Sequence, residues 1–343
     1  MDAGRRTKGI AFGAALSLAL YASGFLVIFT PLPILYVAVV GGRRDGWMAA
    51  ASALALASVA YWMALSAAGG SAAPSSAVAH MPAMSLAAFF DPAFLLIAGA
   101  GGFAFFAAIG LALGEGAMRR YSLTRWAGTA FAVALSVMGL ILAAGSLMGT
   151  EGGGFAGYLS RVMGEVIALK SQAEAGADAG FLADNAEGII SFATAIAPSI
   201  LFVFALVAVV VNMLVGRRII RGRHAFAHVH NVARFRLPDW TVWAAVAGGA
   251  LFFADSYVLH TGSLKVAAIN GLISLAALYF FQGLAVVAYF LQGVRAPFVK
   301  TVAYAAIVFF FQTEGVVIVA IGVADVWADF RLRSYRARHS HEA

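Results

Sequence analysis

Long stretches of this chain carry no Asp, Glu, Lys or Arg: residues 9–42, 46–90, 126–150, 188–216 and 266–294 among them. A helix that crosses the hydrocarbon of a bilayer needs about 20 consecutive apolar residues. In hydrocarbon every backbone N–H and C=O must be satisfied by the protein, which leaves α-helices or closed barrels. Barrel strands alternate apolar and polar residues. These runs are apolar throughout, so they read as helices. Only 11% of the 343 residues are charged and 62% are hydrophobic, against about 25% charged in a soluble domain. Such a chain, with a mean hydropathy of +0.88, would expose large apolar patches in water.

The expected fold is therefore all-α: a polytopic transmembrane helical bundle forming a single integral membrane domain over 1–343. Six spans are clear, at about 46–68, 93–114, 126–148, 188–215, 240–259 and 266–292. Both ends are ambiguous. The run 9–42 is long for one helix and short for two, and Pro31 and Pro33 interrupt it. The run 301–324 is interrupted by Gln312, Thr313, Glu314 and Gly315. Each end is expected to be a broken or re-entrant segment, giving about eight helical regions.

Charge decides between the layouts, because cytoplasmic loops collect Lys and Arg. With each end folded back on itself, 20 of the 23 basic residues lie on one side, and only Arg161, Lys170 and Lys265 on the other. With each end a plain span the division falls to 13 and 10. The first layout puts both termini in the cytoplasm. Arg5, Arg6 and Lys8 precede a run too long for a cleaved leader, so that segment is expected to be retained. The location that follows is the bacterial cytoplasmic membrane, a source suggested by the Ala-, Gly- and Arg-rich composition.

Three segments outside the spans stand apart. The acidic loop 150–187 is expected outside and carries an amphipathic pattern over 155–170; it is a lid or a plain connector. The loop 216–238 is the most basic, with Arg217, Arg218, Arg221, Arg223, Arg234 and Arg236. Attraction to anionic head groups accounts for it without nucleic acid, and a scaffold would use it, or the external acidic segment, as a surface for protein partners. The tail 325–343 is basic too. No tandem repeat relates the two halves.

Intramembrane polar residues are functional candidates, since burying them in lipid is costly. Glu314, beside Gln312 at a break in an apolar segment, is the sharpest, because broken helices expose backbone groups at depth. Asn270 and Asp255 complete the proposed ligand-binding set. Each has a bland alternative. Asn270 and Gln282, about 18 Å apart along one helix, can glue helices together. Asp255 can sit hydrated near the outer interface. Asp91, before Pro92, reads as a helix cap. Gly99, Gly101, Gly102, Gly110 and Gly114 read as a packing surface.

Several chemistries are absent from the sequence. There is no cysteine, which removes disulfides and thiolate chemistry. His224, His228 and His230 lie in a basic loop with no nearby acid, a poor metal site. No HExxH, nucleophile elbow or phosphate-loop motif occurs. No catalytic residue, metal or cofactor is assigned, and the chain is not expected to be an enzyme.

Phe235-Arg-Leu-Pro-Asp-Trp240, Leu278-Tyr-Phe-Phe-Gln-Gly-Leu284, and Ile321-Gly-Val-Ala-Asp325 running on to Asp329-Phe-Arg331 resemble the YybS-like bacterial membrane proteins, grouped as domain of unknown function 2232. That family is distantly similar to the substrate-binding membrane subunits of energy-coupling-factor vitamin transporters. Pro31-Leu-Pro-Ile-Leu35 leading to Gly41-Gly42 carries the local likeness. The resemblance implies a small-molecule-binding transport component, which would be marked by buried polar groups converging on one cavity. The alternative, a non-transporting scaffold or assembly partner, would be marked by glycine-lined packing without a polar cavity.

Overall fold

The computed structural model describes residues 3–68, 92–148, 157, 159–160, 163–164, 166–168, 180, 184–220, 233, 235–294, 296–309 and 311–339. Asp91, the three loop histidines and most of the amphipathic segment 155–170 lie outside the described residues. Among the described residues every long element is helical. We number them α1 Ala3–Ala22, α2 Pro31–Gly41, α3 Arg43–Ala68, α4 Pro92–Met118, α5 Leu123–Met148, α6 Ala186–Ile220, α7 Trp240–Ala254, α8 Ser263–Gln292, α9 Pro297–Phe309, α10 Phe311–Ala328 and α11 Phe330–His339. Six are long and apolar enough to cross a membrane: α3, α4, α5, α6, α7 with the turn that follows it, and α8. These are the six spans expected from the sequence.

Two compact units make up the chain: Met1–Thr194 with Phe204–Val229, and Ala195–Val203 with His230–Ala343. In the first unit, α1 and α2 form an antiparallel pair. Arg6 near the start of α1 meets Asp45 just beyond the end of α2. A Cβ on Gly13 would strike the Val37 side chain, and the Ser17 hydroxyl donates to the Thr30 carbonyl at 2.8 Å. The expected hairpin at this end is thus what the chain builds. Its turn lies before the prolines, over residues 23–30, with a single 3-10 turn at Val27–Phe29. Pro31 is the first residue of α2, where a missing N–H costs nothing. Pro33 removes a second amide that would otherwise lack a partner in the first turn.

α2 is only 11 residues long, about 16 Å, and is held by glycines on its neighbours. A Cβ on Gly46 of α3 would strike Ala38, one on Gly110 of α4 would strike the Pro31 carbonyl, and one on Gly216 of α6 would strike Leu35. Small residues let backbones approach and gain dispersion contacts where lipid supplies no hydrophobic drive. Gly42, at φ +97°, ends α2 in a conformation open to glycine, so α3 starts one residue later.

In the second unit, α7 and α8 are antiparallel. Thr241 bonds Tyr279, Gly248 faces Leu272, and the Lys265 ammonium lies over Phe252. α10 runs parallel to α8, since Gln282 bonds Gly322 and Tyr289, seven residues on, bonds Arg331. The chain between them, α9, must therefore return across the bundle, so this end also folds back. The break itself differs from expectation. Gln312, Thr313, Glu314 and Gly315 lie in the opening turns of α10, where Gln and Glu are good helix formers and an acid suits the positive helix end.

Candidate functional site: two grooves and a buried polar network

Among the described residues of the first unit lie two half-open apolar grooves. The larger, about 540 Å³, lies among α3, α4 and α5. Its wall is a stripe of half-buried Ala104, Ala108 and Ala112, placed on one face of α4 by their four-residue spacing. At one end Arg43 pairs with Glu115 at 3.5 Å, and Glu115 also takes Arg119. Trp47 lines the same end. The smaller groove, about 370 Å³, runs between α1 and α2 and ends at Arg6 and Asp45. Asp45 is 2% exposed and accepts two bonds from Arg6 Nε at 2.8 and 2.9 Å. Arg6 precedes the apolar run of α1. The hydrogen bond to Asp45 and the charge of that carboxylate hold its guanidinium above its ordinary pKa.

The second unit holds a connected polar network. Gln282, fully buried on α8, accepts from the Leu237 amide at 2.9 Å and donates to the Gly322 carbonyl at 3.0 Å. It also reaches Asp325 at 3.5 Å. Asp325, fully buried near the end of α10, receives Arg331 at 2.6 Å. Arg331 turns its other nitrogen to the carbonyls of Ala233 and Phe235. Arg236 joins Asp329 and Asp239, each at 3.2 Å. One amide, one carboxylate and one guanidinium thus clamp the extended segment 235–238 onto three helices. Bare glycines permit it: a Cβ on Gly283 would strike the Ile318 carbonyl, and one on Gly322 the Tyr279 carbonyl.

The four residues singled out from sequence fall differently. Asp255 is buried, not hydrated, at 2% exposure. It accepts from the amides of Thr261, Gly262 and Lys265 and from the Thr261 hydroxyl. It lies in a π turn, Asp255–Leu259, and reaches past left-handed His260 to cap α8, whose first amides lack partners within the helix. Asn270 repairs a different break. Pro198 lies inside α6, and at the next residue the Ser199 amide donates to Asn270 Oδ1 at 2.9 Å. Asn270 Nδ2 donates to the Ala195 carbonyl at 2.7 Å. The side-chain amide therefore replaces one rung of the helix ladder, an insertion of the kind that accompanies helix kinks. The side chains of Gln312 and Glu314 lie outside the described residues. Asp255 and Asn270 are committed to separate backbone positions.

The segments that build the clamp are those on which the sequence resemblance rests, and a family-level comparison agrees. Residues 77–326 match the family described as "Predicted membrane protein (DUF2232)". The chain belongs to this family. The match spans α4 to α9 complete and all but the last two residues of α10, so both the clamp and the wall of the larger groove fall within it, apart from Arg331. No curated protein matches the chain, and no solved structure does.

Sequence reasoning did not single out Asp325 and Arg331 as partners or the grooves as cavities. The clamp had a signal: Asp325, Asp329 and Arg331 close the most apolar part of α10, and an acid and a base six residues apart at a helix end can fold onto each other. The grooves had none, because alanines spaced for a cavity wall look like alanines spaced for packing.

Proposed function

We propose that this multi-pass membrane protein is a small-molecule-binding component of a transport system, holding its ligand in the larger groove of the first unit. The carrying observation is the groove of about 540 Å³ with an alanine wall and the Arg43 and Glu115 pair at one end. That volume falls in the range of small-molecule sites, roughly 300–1,000 Å³, and such sites are mostly apolar with a few convergent polar groups. The ligand that fits has an apolar body and one polar end able to meet both charges. The likeness of residues 31–42 to energy-coupling-factor substrate subunits supports this reading, since α2 forms the back of the same unit. The chain has no ATP-binding motif, so a partner would have to supply energy. The distribution of Lys and Arg favours a layout with both termini inside, and the Ala-, Gly- and Arg-rich composition favours a bacterial membrane.

Native mass spectrometry of the gently purified protein tests the reading. A retained small molecule, lost on Ala108→Leu and weakened by Glu115→Gln, is expected. A chain that carries no small molecule, or one retained unchanged in Ala108→Leu, overturns it.

A second reading has its own observation. The clamp that fixes residues 235–238 beside exposed Trp240 and Trp243 would suit a scaffold that presents the basic loop to a protein partner. Loss of a defined crosslinked partner on Gln282→Leu, with the groove ligand unaffected, would favour it.

A further inference from the structure

The smaller groove has a different character and an occupant of its own. Its walls along α1 are set by Gly9, Gly13, Leu16 and Leu20, which follow Arg6 at helical spacing. From Arg6 to Leu20 is about 21 Å along the helix. One flank is open, and the side chains there are exposed: Phe12 by 69%, Leu16 by 39% and Tyr36 by 37%. In a membrane-spanning protein an apolar surface open on its flank meets hydrocarbon. The end of the groove is charged. Arg6 is there, 43% exposed although paired with Asp45, and Arg5 and Lys8 are exposed on the same first turns. Of these cations Arg6 lines the groove, and Asp45, itself buried, is the one acid in that lining among the described residues.

We infer that the groove between α1 and α2 seats one acyl chain of an anionic phospholipid, with its phosphate on Arg5, Arg6 and Lys8. The charge selects the head group, because each Lys or Arg at an anionic membrane surface favours acidic lipid. The glycines make the room. Gly9 lines the groove and has nothing within 4 Å of the position its Cβ would take, so a side chain there starts in open space at the groove. Gly13 has no such freedom, since its Cβ would strike Val37. The site is separate from the groove assigned to the transport ligand, so either assignment can fail without the other.

The test uses the full chain in detergent with equal amounts of dioleoyl phosphatidylglycerol and dioleoyl phosphatidylcholine, read by native mass spectrometry. The native chain should keep one phosphatidylglycerol through delipidation. Gly9→Leu, checked for unchanged helical content by circular dichroism, should lose it. The double variant Arg5→Gln with Lys8→Gln leaves Arg6 and Asp45 paired, and should keep a lipid while its preference for phosphatidylglycerol falls about fivefold per charge removed. One phosphatidylglycerol retained by Gly9→Leu would overturn the groove as the seat of the chain. An unchanged preference in the double variant would overturn the head-group assignment. A dimer with no bound lipid would mean that a second copy covers the groove and would overturn both.

Discussion

The two units of this protein are held by different means. In the first, α2 is gripped by glycines on α1, α3, α4 and α6, and two apolar grooves remain beside it. In the second, polar side chains bond to the backbone of neighbouring segments, helical and extended: Gln282 to Leu237 and Gly322, Asn270 to Ala195 and Ser199, Arg331 to Ala233 and Phe235. The difference follows from what each unit must cover. A short helix packed by shape leaves few polar groups exposed, whereas an extended segment and a proline-broken helix leave several. Each unsatisfied group in hydrocarbon costs several kcal/mol, so polar side chains gather where the backbone is irregular. Shape packing also leaves room, and room is what a ligand needs.

Substitutions can break this comparison. The largest effect is expected at Arg331→Gln, which strands the fully buried Asp325 carboxylate. Stranding one partner of a buried pair costs about 3–5 kcal/mol; thermal unfolding in detergent, followed by circular dichroism, should show it. A loss under about 1 kcal/mol would mean that the clamp is not a buried charge pair. Next is Gly283→Ala. Its Cβ meets backbone, the Ile318 carbonyl, which cannot rotate away, and overpacking of this kind costs about 1–3 kcal/mol. Asn270→Leu should cost about 1–2 kcal/mol by leaving the Ser199 amide and Ala195 carbonyl without their partner, in line with interhelical hydrogen bonds in membranes. Gly216→Ala should be the mildest, below about 1 kcal/mol, because the atom it meets is a Leu35 methyl at the end of a flexible side chain. If Gly216→Ala instead proved as damaging as Gly283→Ala, shape packing in the first unit would be as unforgiving as in the second.

Much of the architecture was legible in the sequence, for a simple reason. The near absence of charge over about 20 or more residues leaves a chain few structures in lipid, and all six expected spans are helices, the span 240–259 carrying only Asp255. The foldback of both ends was legible from the placement of Lys and Arg, and it matches the meeting of Arg6 with Asp45 and the parallel run of α8 and α10. The positions of the breaks were not legible. Pro31 and Pro33 read as interruptions, yet proline at a helix start is favourable and the turn lies just before them. Gln312 and Glu314 read as a break, yet they are helix formers at the start of α10. The roles of Asp255 and Asn270 were hidden for another reason. Each serves a backbone group distant in sequence or on another helix, and no local pattern records that an amide 71 residues away needs a partner. Gln282 and Asn270 as glue between helices was the reading that their geometry matches.

The orientation of the hairpin at the start of the chain is the central claim, because the charged ends of both grooves are placed by it. The most direct measurement is cysteine accessibility in intact cells, in a chain with no native cysteine. Gly4 has open space at its Cβ, and Phe25, in the hairpin turn, is 90% exposed. A cysteine at Phe25 should react with a membrane-impermeant maleimide, and one at Gly4 should react only after the membrane is permeabilised. Labelling of Gly4→Cys in intact cells would contradict the account and place the cationic end of α1 on the outer face.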